Sequence, residues 1–294
     1  MARFRALLWP TTFCLGGFMG VYFDRYLHPY NTVTAKASLD TIKDGKSSIA
    51  ASSPTSEIMK FGFPSYENIK SRNDYVLSYN RMHRTANWVI EHLTSDKLRQ
   101  RNADRSESIF TEDLSVPEMF RSTNKDYSKS GFDRGHLAAA RNHAHSQDAL
   151  KDTFYLSNMS PQVGEGFNRG IWNRLEQQVR SLTKVYPDVY VITGPLYLPH
   201  AENDGKKYVK YQVIGKNNVS VPTHFFKIVV GDRRKEKNDA KLELQVFLIP
   251  NRSIPDDTPL HAFMVPLESV EKASGLTFLD KISRSAIKQG RLTT

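Results

Sequence analysis

The stretch Ser130–Arg180, SGFDRGHLAAARNHAHSQDALKDTFYLSNMSPQVGEGFNRGIWNRLEQQVR, decides how this chain is read. It holds three chemically loaded parts: Asp133-Arg134-Gly135-His136, the apolar run Phe154-Tyr155-Leu156 leading into Ser157-Asn158, and Asn168 to Arg180. His136 is one of nine histidines, so a surface or hydrogen-bonded core role is its default. Its neighbours shift that reading. A neutral imidazole takes up a proton near physiological pH, and Asp133 is placed to orient it or a metal-held water. Arg134 offers a planar fork of donors to a phosphate, and Gly135 lets backbone approach closely.

Phe154–Ser157 reads as a strand and Ile171–Thr183 as a helix. The helix has apolar residues at Ile171, Leu175, Val179 and Leu182, spaced by three or four. Asn168, Trp172, Glu176 and Arg180 follow at intervals of four, so they share one side if the helix begins that early. Glu176 then lies about 12 Å and Arg180 about 18 Å along the axis from Asn168. At that separation Asn168 and Glu176 do not ligate one ion together. Glu176 instead reaches a water held by the ion, and Arg180 a phosphate beside the scissile one. The plainer alternative is an amphipathic helix with Glu176–Arg180 as an i,i+4 pair. Trp172 is expected in the core on either reading.

Working outward, the 294 residues have room for one large domain or two ordinary ones. The chain carries a net charge of +10. Residues 1–57 hold six Lys/Arg and four acids, so about +8 of that charge belongs to the body. A basic body favours polyanions, nucleic acid first and acidic lipid second. The single cysteine, Cys14, lies in the N-terminal apolar stretch. The body therefore has no disulfide framework, cysteine nucleophile or cysteine-ligated zinc.

Arg3 and Arg5 precede an apolar run, Ala6 to Phe23, broken by Pro10, Thr11, Thr12 and three glycines. It is close to the length of a bilayer span. A secretory signal, a mitochondrial targeting region and a membrane anchor compete for it. The bulky Tyr22–Tyr26 stretch offers no small-x-small cleavage site, and early arginines without acids suit mitochondrial import with an anchor. Residues 1–31 are read as that segment. Residues 32–57 lack aromatics and are poor in large aliphatics, which reads as a linker. The folded domain is then 58–294, opening at Ile58.

Within it, Tyr75–Tyr79 and Asn87–Ile90 read as an antiparallel pair joined around Asn80–Arg84, and Thr94–Thr111 as a polar loop with Arg101 and Arg105. Val189–Pro195 reads as a buried strand closed by a Gly-Pro turn. Thr223–Val230 and Leu242–Ile249 are further strands, joined by an exposed RRKEK-bearing connection, and Ser269–Ser274 is a short helix. There is no internal repeat. The order implies a strand-rich α+β domain.

Several ordered blocks resemble one family. They are Ser130–Ala140, Asp152–Asn158 with Pro161-Gln162, Asn168 with Trp172, Leu175-Glu176 and Arg180, then Ile192–Leu196, Val221–Lys227 and Val265–Ser269. Together they resemble the DNA/RNA non-specific endonucleases, and within them the mitochondrial endonuclease G branch, from Ile58 to Leu279. The Gly164–Asn168 loop is similar to fungal members. The resemblance implies a ββα-metal nuclease fold: a central antiparallel sheet with flanking helices. It implies His136 as general base and Asn168 as the sole direct protein ligand of Mg2+, with Mn2+ as a substitute. It further gives Glu176 a water of the ion, Arg134 and Arg180 phosphate contacts, and Asp133 and Asn158 a shaping role. Arg105 is the candidate for a further phosphate-binding arginine. DNA and RNA as substrates, 5′-phosphate products, mitochondrial residence facing the intermembrane space and a homodimer are implied too. This chain departs from the pattern at Arg141, an added phosphate contact on this reading, and at His143-Ala144-His145. Two rivals are a membrane-tethered nucleic-acid-binding protein without activity and a phosphodiesterase for small molecules or phospholipids. Binding alone needs the arginines but neither a base nor a metal ligand.

Overall fold

The computed structural model describes residues 54–234, 242–290 and 292. The apolar run Ala6–Phe23, Cys14, most of the expected linker and the RRKEK connection from residue 235 to 241 lie outside the described residues.

In chain order the strands are β1 (Ile69–Ser71), β2 (Tyr75–Asn80), β3 (Thr85–Leu93), β4 (Asp133–His136), β5 (Met159–Gln162), β6 (Asp188–Leu196), β7 (His200–Ala201), β8 (Lys207–Tyr208), β9 (Val213–Ile214), β10 (Val219–Ser220), β11 (His224–Asp232), β12 (Leu242–Pro250) and β13 (Ile287–Gln289). The helices are α1 (Pro54–Ile58), α2 (Ser95–Arg99), α3 (Asn124–Tyr127), α4 (Gln147–Asp152), α5 (Asn173–Leu182) and α6 (Leu267–Ser274). Seven strands form one sheet in the order β1-β2-β3-β6-β11-β12-β13, antiparallel except for the β12–β13 pair. The expectation of an α+β domain around a largely antiparallel sheet holds. α1 opens the described residues at Pro54, and its Ile58 is buried.

Both faces of the sheet are covered, which explains why its strands read as continuous apolar runs. Along β11, Phe225 and Val229 face one core with Trp172, Leu175 and Val179, whereas Phe226, Ile228 and Val230 face a second with Leu267, Val270 and Phe278. The two-residue period thus assigns α5 to one face and α6 to the other. It also sends Lys227, between Phe226 and Ile228, toward α5. The β4–β5 hairpin pairs separately, His136 opposite Met159 and Asp133 opposite Gln162. Thr85 Oγ1 at the start of β3 donates to the Met159 carbonyl at 2.9 Å and ties the hairpin to the sheet.

Three sequence readings need correction. Phe154–Ser157 is not a strand: the chain turns there, and the strand begins at Met159. A three-residue apolar run carries too little periodicity to separate a buried turn from a strand. Gly194-Pro195 does not close β6 but continues it, opposite Phe226 and Phe225 of β11. β3 pairs with β6 only as far as Thr193, so the N–H that Pro195 lacks has no strand to serve on that side. The Thr94–Thr111 loop contains α2 and a helical turn at Arg105–Glu107.

Gly194 is where β3 and β11 crowd closest on β6. A Cβ there would stand 2.4 Å from the Asn87 carbonyl oxygen and 2.5 Å from the Phe226 ring. Overpacking of this kind costs about 1–3 kcal/mol. Gly194→Ala is therefore expected to lower the thermal midpoint by several degrees, and an unchanged midpoint would show that the strands can move apart freely.

Candidate active site

The polar side chains of the Ser130–Arg180 stretch converge on one cleft of about 1290 Å³ between the β4–β5 hairpin, α2 and α5. His136, Arg134, Asp133, Asn168, Glu176, Arg180 and Arg105 all line it. Its lining among the described residues includes eight Lys/Arg, Arg141, Arg169 and Lys184 among them, against two acids, Asp133 and Glu176. A cleft so charged gathers polyanions.

His136 ends β4 in an aromatic setting. Its ring meets Phe154 edge-on at 4.9 Å and lies 5.7 Å from Phe110. Its buried Nε2 has no hydrogen-bond partner among the described residues. Burial, then the positive charges of Arg105 and His143, push its pKa down to about 3. The imidazole is therefore neutral, and its Nε2 is left unused by the protein.

Asp133 does not orient His136. Three strand positions separate the two, which sends their side chains to opposite sides. The Asp133 carboxylate instead accepts from Asn168 Nδ2 at 2.9 Å and pairs with Arg169. This bond has a consequence for Asn168. With its NH₂ group committed to Asp133, the amide oxygen is left without a protein partner among the described residues, beside the cleft. Gly135 gives its closeness to Gln162 rather than to a ligand: a Cβ there would fall 2.1 Å from the Gln162 side chain.

Asn158 is fully buried and makes only backbone contacts. Its Oδ1 accepts from Ala138 N at 2.9 Å, and its Nδ2 donates to the Ala138 and Thr153 carbonyls at 3.0 and 2.8 Å. It shapes the site by fixing the chain on either side of His136 and Phe154. Arg134 is held over the Phe110 ring, 4.3 Å from its centroid, and donates to Asn124 Oδ1 at 2.8 Å. The Arg105 guanidinium lies 5.7 Å from the centroid of Phe154.

The helix expected from Ile171 begins at Asn173, and Asn168 is not on it. Glu165, Gly166 and Gly170 break the helical path between Gly164 and Trp172. Gly166 takes φ +75 and packs so close to Ser253 that a Cβ would meet its Oγ at 2.3 Å. The axial distances from Asn168 along one straight helix therefore do not apply. Glu176 and Arg180 do share a face of α5, 3.9 Å apart, both largely buried yet lining the cleft. Burial raises the Glu176 carboxyl to about 7, against the pull of Lys227 and Arg180. Trp172 is core, as expected, packed on Phe167 and Phe225.

Long-range partners under the cleft were not legible in the sequence. Lys227 is buried, donates to Thr193 Oγ1 at 2.7 Å, and stands 4.6 Å over the Trp172 ring. Glu91 on β3 accepts from Asn142 Nδ2 at 2.8 Å and meets His143 Nε2 at 3.0 Å. A charged residue inside an otherwise apolar strand (Glu91 in TANWVIEHL, Lys227 in HFFKIVVGD) was the available signal. On the opposite face of the sheet Glu57, His92 and Asp188 come within 4.8 Å of one another, where His92 pairs with Asp188 and Glu57 accepts from Tyr190.

Comparisons with known proteins place the chain in a family. The pattern of the DNA/RNA non-specific endonuclease family matches residues 54–285. The chain is 52% identical over 226 residues to the mitochondrial endonuclease G of Homo sapiens, covering 77% of this chain and 74% of that protein. It is 47% identical over 262 residues to the Caenorhabditis elegans protein of that name, covering 88% and 83%. The mitochondrial nuclease of Saccharomyces cerevisiae is 45% identical over 238 residues, covering 79% and 72%. EndoG in the crystal structure of the EndoG/EndoGI complex, a study of EndoG inhibition, superposes with a TM-score of 0.78 at 53% identity, covering 82% of this chain and 97% of that one.

His143 supplies a test of the buried layer. Burial opposes its charge, but Asp74 and Glu91 outweigh that and raise its pKa from 6.5 to about 9. The folded protein then keeps a proton that the unfolded chain releases near 6.5. The resulting stabilisation, on the order of 3 kcal/mol, is complete below pH 6.5 and disappears as pH climbs to 9. Glu176 acts in a lower window, subtracting stability as pH rises from 4.5 to about 7. Thermal midpoints are expected to fall between pH 6.5 and 9 in the wild type and to flatten over that range in His143→Gln. Equal slopes in the two proteins would mean that His143 is not the group responsible.

Proposed function

This chain belongs to the DNA/RNA non-specific endonuclease family, and from that premise we propose that it is a magnesium-dependent, sugar-non-specific endonuclease of DNA and RNA. The observation that carries the reading is a neutral imidazole with an unpartnered Nε2 at His136 and the open amide oxygen of Asn168, both lining one arginine-rich cleft. On this reading β4, β5 and α5 form the ββα-metal unit of the fold.

His136 takes a proton from the attacking water, and the attack on phosphorus runs in line with the departing 3′ oxygen. Product ends carry 5′-phosphates. Arg134, Arg180 and Arg105 hold the phosphates of the scissile bond and its neighbours, and Arg141 adds a contact. Asp133 fixes which way the Asn168 amide points, and Asn158 holds the backbone that presents His136. These contacts touch phosphate rather than base edges, so cutting is largely indifferent to sequence and weakens with salt.

The residues fit a magnesium ion. Magnesium prefers oxygen, keeps several of its waters and needs few protein ligands. The Asn168 amide oxygen would hold it directly, and the Glu176 carboxylate would hold one of its waters. When bound, the ion supplies charge neutralisation at the phosphoryl group and at the leaving oxygen. Manganese, another hard cation, would substitute.

The naming of similar proteins as mitochondrial supports a mitochondrial location. We infer that residues 1–31 direct import and tether the domain to the inner membrane, facing the intermembrane space, and that the protein works as a homodimer. No helix among the described residues is long and apolar enough to cross a membrane.

The deciding experiment is nicking of supercoiled plasmid and cutting of single-stranded RNA by the full chain, with magnesium or with a chelator. His136→Ala is purified alongside. Magnesium-dependent cutting of both polymers is expected, reduced in the variant by about 10²-fold or more. Tight binding of both polymers without cutting would leave an inactive nucleic-acid-binding protein. Preference for a small diester over either polymer would overturn the substrate class.

A further inference from the structure

Resting on that reading of the cleft, we propose that Asn142 is a positioning residue that fixes the Arg180 guanidinium in the phosphate path and is itself anchored by Glu91. Asn142 lies in the helical turn Ala140–His143 beside the cleft and is 5% exposed. The two ends of its amide face opposite ways. Its Oδ1 accepts from Arg180 Nη1 at 3.3 Å, and its Nδ2 donates to Glu91 Oε1 at 2.8 Å.

The donation to Glu91 settles the orientation of the amide, so the oxygen must face Arg180. Glu91 is 1% exposed, and a carboxylate so buried needs hydrogen-bond partners in place of water. Its second partner is His143, whose Nε2 stands 3.0 Å from the same oxygen. His143 in turn lies 3.8 Å from Asp74, which also pairs with Lys97 at 2.7 Å and His145 at 2.5 Å. The chain of contacts thus runs from β3 and α2 through the RNHAH segment to the arginine that faces the cleft. It gives the histidines of that segment a part in the site.

An asparagine suits this place for a physical reason. Arg180 already has a carboxylate near it, Glu176 at 3.9 Å. A second carboxylate would tether the guanidinium by cancelling its charge, and a phosphate would then have to compete for it. A neutral amide oxygen restrains the guanidinium while leaving its charge for the phosphate. Without that restraint the long side chain regains rotamers, and each turnover must order it again.

The test is a double-mutant cycle of Asn142→Ala, Arg180→Ala and the pair in the full chain. Rates on supercoiled plasmid are read with magnesium, and affinity for a fluorescent single-stranded oligonucleotide with chelator. Asn142→Ala is expected to lower kcat/KM roughly tenfold in the wild-type background and to change nothing further once Arg180 is alanine, a coupling within the range for residues in contact. Asn142→Ser removes the oxygen that Arg180 meets and shortens the reach toward Glu91, which keeps His143 as its partner. It is expected to show the same loss at a near-wild-type thermal midpoint, which separates positioning from folding. Equal losses in both backgrounds, or full activity of Asn142→Ser, would overturn the proposal. If the wild type cuts neither polymer, the nuclease reading fails by itself. The oligonucleotide affinities then still decide the coupling: a penalty from Asn142→Ala that vanishes without Arg180 supports it, and additive penalties reject it.

Discussion

Charge buried against the cleft-side face of the sheet is the constraint around which this site is organised. Lys227 and Glu91 are each 1% exposed, on neighbouring parts of one sheet face, directly beneath α5. Moving such groups out of water costs several kcal/mol per ion unless partners replace the lost hydration. The partners here are Thr193 and the Trp172 ring for Lys227, and Asn142 and His143 for Glu91. Those partners are also the residues that carry or flank the cleft. Trp172 leads into α5, which presents Glu176 and Arg180, and Asn142 meets Arg180 from the other side. Burial lifts the Glu176 carboxyl, and the positive charges of Lys227 and Arg180 restrain the rise, so that it settles near 7.

A second layer of the same logic surrounds His136. A base needs a lone pair that the protein has not already used, and Phe110 and Phe154 surround the imidazole without offering it a hydrogen bond. Its position must then come from the backbone. Asn158 provides this by clasping Ala138 with both ends of its amide, two residues beyond His136, while its third bond reaches Thr153 beside Phe154. One buried amide thus fixes both the backbone beside His136 and one wall of its pocket. Asn168 is held in a comparable way: Asp133 takes the NH₂ group, and the amide oxygen is left without a protein partner among the described residues.

Much of this could be read before any fold was known. The Asp133–His136 cluster stood out by its residue types, whereas Asn158, Asn168, Glu176 and Arg180 were singled out through the ordered blocks that resemble the endonuclease family. The long sheet strands were visible as apolar runs, and α5 through Leu175, Val179 and Leu182 at helical spacing. The errors came where local pattern underdetermines geometry. Phe154–Leu156 is as apolar as a strand but turns to wall the His136 pocket. Asn168 keeps helical spacing with Glu176, yet Gly170 takes the intervening chain off the helical path.

The sequence by itself determined the chemical inventory: a histidine, amides, carboxylates, an excess of arginine and a sheet-forming scaffold to hold them. These follow from side-chain chemistry and from periods of two and 3.6 residues, both of which are local. The tertiary structure alone decided which groups would act on one another. Asp133 serves Asn168 rather than His136, Glu91 reaches Asn142 across 51 positions, and Lys227 reaches Thr193 across 34. Such pairings are set by strand order and by which face of the sheet a residue occupies. Burial then turns them into selected protonation states and fixed side chains, because a charge shut away from water must take the partners that the fold brings to it.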